Sequence, residues 1–249
     1  TPPTPPPPTS PTMAGVEKQL RAKWLDSTLR MPIPEHTGIY KLHLAAKETL
    51  GTEEVRQSVR KPPGVNRDDW IASQVIGIFE EVAQVVSVLE DVCTESSCPR
   101  MCAGKHVQYS WADEMNPEPR PLSAPEYMRT LVAYAHERLR DRALIPIDGS
   151  SFPRDFKATM SMLLKRFFRV YAHAYLSHFQ PIQKYGAEAH VNLCFKHFLF
   201  FVLEFDLVSR NDMGPLDDLI QKFLAAAESA GGAPGQDWRQ AARFLNLPA

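Results

Sequence analysis

The chain has 249 residues, 44% hydrophobic and 23% charged, with 28 Lys and Arg against 29 Asp and Glu for a net charge of −1. Those proportions supply one ordinary core and exclude a fibrous or wholly disordered chain, and the balanced charge excludes whole-molecule attraction to nucleic acid or acidic lipid. The longest uninterrupted apolar run, Phe198 to Leu203, falls far short of the roughly 20 residues that cross a bilayer, so no transmembrane segment is expected.

Residues 1–37 read as a flexible extension, because seven of the 22 prolines fall between positions 2 and 11, a composition that favours solvated polyproline II. From Ile39 onward helical signals dominate. Asp68 and Asp69 follow the breaker Lys61-Pro62-Pro63-Gly64 and suit the positive end of a helix dipole. The apolar residues from Trp70 to Val92 then recur every three or four positions, which predicts one long buried helix over 68–92. Val107 to Trp111 and the stretch near Pro121 look extended, and Asn116-Pro117 between them suits a small hairpin. Ser123-Ala-Pro-Glu126 has the spacing of a capping box and starts a helix through Leu139. Further helices are expected over 153–179, 187–207 and 214–230, and residues 231–249 form a C-terminal tail with room for a short helix. The expected architecture is all-α, an orthogonal helical bundle with one small hairpin.

Four cysteines are too few for a disulfide scaffold and no basic-then-apolar leader opens the chain, so a reducing cytosolic or nuclear setting is expected, where clustered Cys suggests metal. Cys93 and Cys98 stand close together after the first long helix, and His173 and His178 inside a later one. Both gaps suit zinc, because two thiolates and two imidazoles form a tetrahedral shell that a d¹⁰ ion accepts. Such a site would clamp distant helices and, with four protein ligands, would be structural. Two other readings stand beside it: buried, unliganded Cys and His, and a local Cys₃His site from Cys93, Cys98, Cys102 and His106. A zinc hydrolase with an open coordination position is the enzymatic alternative. Five residues of ideal helix turn through about 500°, leaving His173 and His178 about 140° apart, so the helix is expected to end or distort near Ser177.

The same helix carries Lys165, Arg166 and Arg169 within an arc of about 100°, with Phe167, Phe168, Val170 and Tyr171 on the other side. Three adjacent cations repel one another unless an anion joins them, and Arg forks match phosphate oxygens in pairs. A solvated basic face is the plainer reading. His190, Cys194, His197 and Phe201 share another helix face and read as a packed polar seam. No Gly-x-Ser-x-Gly, Gly-x-x-x-x-Gly-Lys or Gly-x-Gly-x-x-Gly motif is present, so nothing in the sequence points to an enzyme.

Several ordered stretches stand out: Pro62-Pro-Gly with Asp69-Trp70, Cys93-Thr-x-x-x-Cys98-Pro with Ala103-Gly104, Tyr109-x-Trp111-Ala-Asp113 and Ser123-Ala-Pro125-x-Tyr127. Phe152-Pro153, the run from Lys165-Arg166 through His173 to His178-Phe, and Glu188-Ala-His-x-Asn192-x-Cys-Phe-Lys-His197-Phe complete the set. Together these stretches resemble the Mob family of kinase activators. The resemblance implies a Mob domain over 38–230, structural zinc on Cys93, Cys98, His173 and His178, and a phosphothreonine-peptide pocket at Lys165, Arg166 and Arg169. Its ligands would be phosphorylated upstream Ste20-type or Hippo-type kinases or a scaffold. It further implies a surface including Asp69, Trp70 and His197 that binds the N-terminal regulatory segment of NDR/LATS-type kinases. Val65 and Gly77 depart from carboxylates that activating members carry there, which leaves a scaffold without kinase activation as a second reading. Thr49 matches a regulatory phosphorylation site of some members and Thr28 is a looser match. By the same resemblance the protein is a non-enzymatic adaptor in Hippo-type or cell-division signalling. It would be cytoplasmic, with recruitment to nucleus, spindle pole or cell cortex.

Overall fold

Among the residues that the computed structural model describes, 52–229 apart from 147 and 149, the first helix is α1, Thr52–Ser58. The Pro-rich extension, Thr28, Thr49, the 231–249 tail and both expected domain boundaries lie outside the described residues. After α1 the Pro62-Pro63-Gly64 breaker forms a turn in which Val65 N donates to the Pro62 carbonyl at 3.3 Å. Gly64 takes φ 80° there, a left-handed conformation that a side chain disfavours.

Asn66 then caps α2, Arg67–Leu89, accepting from Asp68 N at 2.8 Å and Asp69 N at 3.4 Å. Asp68 and Asp69 fall in the first turn as expected, and the helix buries Ile71, Val75, Ile78, Val82, Val85 and Leu89 on one side. By length and composition alone α2 could cross a membrane, although polar residues interrupt its apolar run. Half of its most apolar stretch is buried inside the protein, and it packs on three later helices, so here it is the core helix of the bundle.

Four two-residue strands follow, β1 (Cys102–Ala103), β2 (Val107–Gln108), β3 (Ser110–Trp111) and β4 (Arg120–Pro121). They form two antiparallel ribbons, with Ala103 opposite Val107 and Trp111 opposite Arg120. The β3–β4 ribbon is the hairpin expected from the sequence, turned by reciprocal backbone bonds between Asp113 and Asn116. The β1–β2 ribbon was not expected; two-residue strands leave no alternating pattern to read. Gly104, at φ 65°, makes its turn possible.

Ser123 caps α3, Ala124–Arg140, through Glu126 N at 3.3 Å, with Pro125 in the first turn. Next come α4 (Phe156–Ser177), α5 (Phe179–Lys184) and α6 (Glu188–Phe205). Helix α7 (Arg210–Met213), a 3₁₀ turn and α8 (Asp217–Ser229) close the described chain. The helix expected over 153–179 is therefore two helices, and that over 214–230 begins as the 3₁₀ turn. Helices α2, α4 and α6 pack on one another, and Phe167, Phe168, Tyr171, Phe195 and Phe198 fill the space between them with no exposure. Tyr171 lies 5.2 Å from Phe195 and 5.4 Å from Phe198 between ring centroids, a spacing that adds directional aromatic contact to area burial.

Candidate metal centre and basic hollow

Two loops and one helix break bring four ligand atoms together. Past α2 the chain turns so that Cys93 N reaches the Leu89 carbonyl at 2.8 Å. Thr94 and Ser97 then bond reciprocally, Thr94 N to Ser97 Oγ at 2.9 Å and Ser97 N to Thr94 Oγ1 at 3.1 Å, which fixes the loop before Cys98. On the other side α4 ends at Ser177, and His178, at φ −133° and ψ 16°, is the joint to α5. The distortion expected near Ser177 is present, and it closes the angle that an ideal helix would leave. His173 Nε2 and His178 Nε2 lie 3.2 Å apart, Cys93 Sγ is 3.4 Å from His173 Nε2, and Cys98 Sγ is 3.3 Å from His178 Nε2.

All four donor atoms lie within 4.8 Å of one another and all four residues are buried. A carbonyl can only accept, so the 2.8 Å contact between His173 Nδ1 and the Cys102 carbonyl puts the ring proton on Nδ1 and frees Nε2 for a metal. The Cys102 thiol lies beside Nδ1 at 4.0 Å, outside the cluster, and His106 is exposed, so the local Cys₃His alternative is not formed. Burial lowers the His173 pKa, against the Cys102 hydrogen bond, and burial with His173 nearby lowers that of His178 from 6.5 to about 4. Both rings are therefore neutral ligands at physiological pH. Burial, and then Cys98, push the Cys93 thiol well up, so a cation is what would draw out its thiolate. The donor set fits a metal ion.

That depressed imidazole carries a pH signature. Between about 6.5 and about 4 the unfolded chain binds a proton at His178 that the folded chain does not, so stability falls as pH drops through that window and is flat above it. Chelator-treated protein is expected to show a lower urea midpoint at pH 5.0 than at pH 7.5; equal midpoints would remove the burial argument.

On the preceding turns of α4 the three cations line an open hollow of about 470 Å³, with Ser110, Ala112, Ala158, Ser161 and Met162 completing its wall. Arg166 is clamped: its guanidinium lies 4.4 Å from the Trp111 ring centroid and 4.8 Å from that of Tyr134, and Nη2 donates to the Ala112 carbonyl at 2.6 Å. Its Nη1 is buried with no acceptor. Arg169 Nη1 donates to Tyr127 Oη at 2.8 Å over the Tyr109 ring. Among the described residues neither arginine pairs with a carboxylate, whereas Lys165 Nζ meets Asp212 Oδ2 at 3.0 Å. The plainer reading of a solvated basic face does not describe this arrangement, because the fold positions both guanidinium groups.

The Mob1/phocein family model matches residues 47–216. The chain belongs to the Mob1/phocein family. It is 40% identical over 179 residues to an Arabidopsis thaliana protein called MOB kinase activator-like 1A, covering 71% of this chain and 83% of that protein. It is 37% identical over 214 residues to the human MOB kinase activator 3C, covering 85% of this chain and 99% of that protein. A Medicago sativa subsp. falcata protein of the same name as the Arabidopsis one is 39% identical over 178 residues.

In this Mob protein Trp70 and His197 sit along the junction of α2 and α6, whereas Asp69 borders a separate hollow with Pro146, Ser150, Ser151 and Phe152. Asp69 is exposed, and Trp70 is half-buried with Nε1 donating to the Val59 carbonyl at 2.9 Å, which ties the chain after α1 to α2. Trp70, Gln74, Gly77 and Glu81 fall on one stripe of α2 by helical spacing. His197 lies against that stripe, with Nδ1 2.8 Å from Glu81 Oε1 and Nε2 2.9 Å from Gln74 Oε1. These two partners were not legible in the sequence. The His190–Cys194 contact of 3.6 Å and the burial of Cys194 and Phe201 bear out the polar seam.

Gly77 separates Gln74 from Glu81, and a Cβ built on it meets nothing within 4 Å. Packing does not require glycine there, so Gly77→Ala is expected to stabilise the fold by about 0.5–1 kcal/mol. Urea denaturation checks this, and a lower midpoint would mean that glycine serves the local backbone.

Proposed function

We propose that the protein is a non-catalytic adaptor that binds phosphothreonine segments of an upstream Ste20-type or Hippo-type kinase or scaffold and holds the N-terminal regulatory segment of an NDR/LATS-type kinase. One observation carries the first half: Lys165, Arg166 and Arg169 line one hollow, and Arg166 has a buried donor left without an acceptor. A phosphoryl dianion supplies three strong acceptor oxygens and up to two charges, which suits guanidinium groups held in place better than a single carboxylate does. The names of the relatives as kinase activators support the second half, and a name of that kind describes a protein that acts on another enzyme.

The kinase segment is assigned to the surface that includes Asp69, Trp70 and His197. Asp69 and the Glu81–Gln74–His197 cluster there suit a basic, amphipathic partner. Val65 and Gly77 supply none of the charge that carboxylates would, which favours weak engagement and keeps the scaffold without activation as the second reading. The ion is assigned as zinc, which prefers two thiolates and two neutral imidazoles in a closed tetrahedral shell; four protein donors leave no position for a reacting water. Cytoplasmic residence with recruitment to the nucleus, spindle pole or cortex, and control through Thr28 and Thr49, complete the proposal.

Isothermal calorimetry with a phosphothreonine peptide and its unphosphorylated twin tests the pocket: binding of the first alone is expected, and equal binding refutes it. A pull-down with kinase N-terminal segments tests the second surface, and no capture by full-length protein would leave the scaffold reading.

A further inference from the structure

Lys165 does not enter the hollow unaccompanied. Its Nζ lies 3.0 Å from Asp212 Oδ2 on α7. That carboxylate is itself positioned: Ser209 caps the short helix, accepts from Asp212 N at 3.3 Å and donates its Oγ to Asp212 Oδ2 at 2.5 Å. Partial burial opposes ionisation of Asp212, but the bonds from Ser209 and Lys165 outweigh it and hold the carboxyl below its usual range. The two side chains of the pair are 42% and 35% exposed, so solvent screens it and a better anion can displace it.

We infer that Asp212 is a built-in competitor for Lys165 that makes the hollow selective for a phosphoryl dianion over a lone carboxylate. The inference rests on the phosphothreonine reading above and adds a residue to it. A ligand carboxylate offers Lys165 only what Asp212 supplies already, and it must also give up the freedom of the incoming chain. A phosphoryl group can take Lys165 with one oxygen while its others meet the Arg166 and Arg169 guanidinium groups, so the exchange favours it. The released carboxylate keeps Ser209 and gains water. An acidic substitute for phosphothreonine should therefore bind poorly for a reason located on α7 and not in the arginines.

Fluorescence polarisation with three peptides, carrying phosphothreonine, glutamate or unmodified threonine at the same position, tests the inference on full-length wild type, Asp212→Asn, Lys165→Met and the double variant. Asp212→Asn is expected to tighten phosphopeptide binding about three- to five-fold and to bring the glutamate peptide into measurable range. In the Lys165→Met background the same substitution should change neither, because its effect runs through the ammonium. An unchanged or weakened affinity in Asp212→Asn, or an equal gain without Lys165, overturns the proposal. Asp212→Ser, with helical circular dichroism as the check on folding, gives the same reading should asparagine disturb the cap. If wild type fails to separate phosphothreonine from threonine, the pocket itself falls and this inference with it. If wild type separates them and Asp212→Asn leaves the glutamate peptide unbound and the phosphopeptide unchanged, only the competitor falls.

Discussion

Replacing His178 with Ala, or stripping the metal with a strong chelator, is expected to lower the thermal midpoint by about 10–20 °C or more. The four candidate ligands join separate parts of the fold. Cys93 and Cys98 belong to the loop after α2, His173 and His178 to the end of α4, and the Cys102 carbonyl orients His173 from β1. Apparent free energies of about 10–16 kcal/mol are typical for such thiolate–imidazole sites at neutral pH, against about 5–15 kcal/mol for the whole stability of a domain. Losing even about 5 kcal/mol of it converts to the midpoint shift above at roughly 2–4 °C per kcal/mol for a chain of this size. Differential scanning fluorimetry with metal analysis checks the expectation. A chelated, metal-free protein that melts where the loaded one does would remove the structural role of the site.

Charge reversal at Arg169 is expected to weaken phosphothreonine binding by at least about 100-fold while leaving the thermal midpoint within a few degrees. A hydrogen bond to a charged group contributes about 1.5–3 kcal/mol, and a glutamate adds repulsion to that loss, so about 2.7 kcal/mol or more is at stake. Arg169 is the right position for the experiment because its guanidinium is held from one side, by Tyr127 and the Tyr109 ring. Arg166 is a poorer choice. It fills the gap between Trp111 and Tyr134 and bonds the Ala112 carbonyl, so its removal would disturb the hairpin's seat on α4 as well as the ligand. Calorimetry on Arg169→Glu with a parallel melt separates the two effects, and undiminished affinity would move the ligand elsewhere.

Long amphipathic helices were readable because their periodicity is written in the residues they bury. The expected 68–92 and 187–207 segments match α2 (Arg67–Leu89) and α6 (Glu188–Phe205) closely. What escaped was short or joined: α1, α5, α7 and the β1–β2 ribbon each span too few residues to repeat a pattern. The four candidate metal-binding residues were visible as spaced pairs, and the helical offset of about 140° between the two histidines pointed to a break near Ser177. Choosing between Cys102 and the distant histidines needed either the family resemblance or the fold, because sequence spacing says nothing about which side of His173 a thiol occupies. The three cations were visible too, but their restraint by Trp111, Tyr134 and Tyr127 depends on a hairpin and a helix that lie tens of residues away. Asp212 had no signal at all; its meeting with Lys165 is a product of how α7 returns to α4.

The joint at His178 also fixes the chain's tolerance of length change. One residue inserted between His173 and the joint would rotate everything beyond it by about 100° and advance it by about 1.5 Å, swinging one imidazole out of reach of its thiol. No neighbouring loop can absorb that error, since Ala174 to Ser177 are all helical. Natural indels in related chains should therefore collect in the connection before α4 and spare those four positions, which act as a ruler cut to a single length.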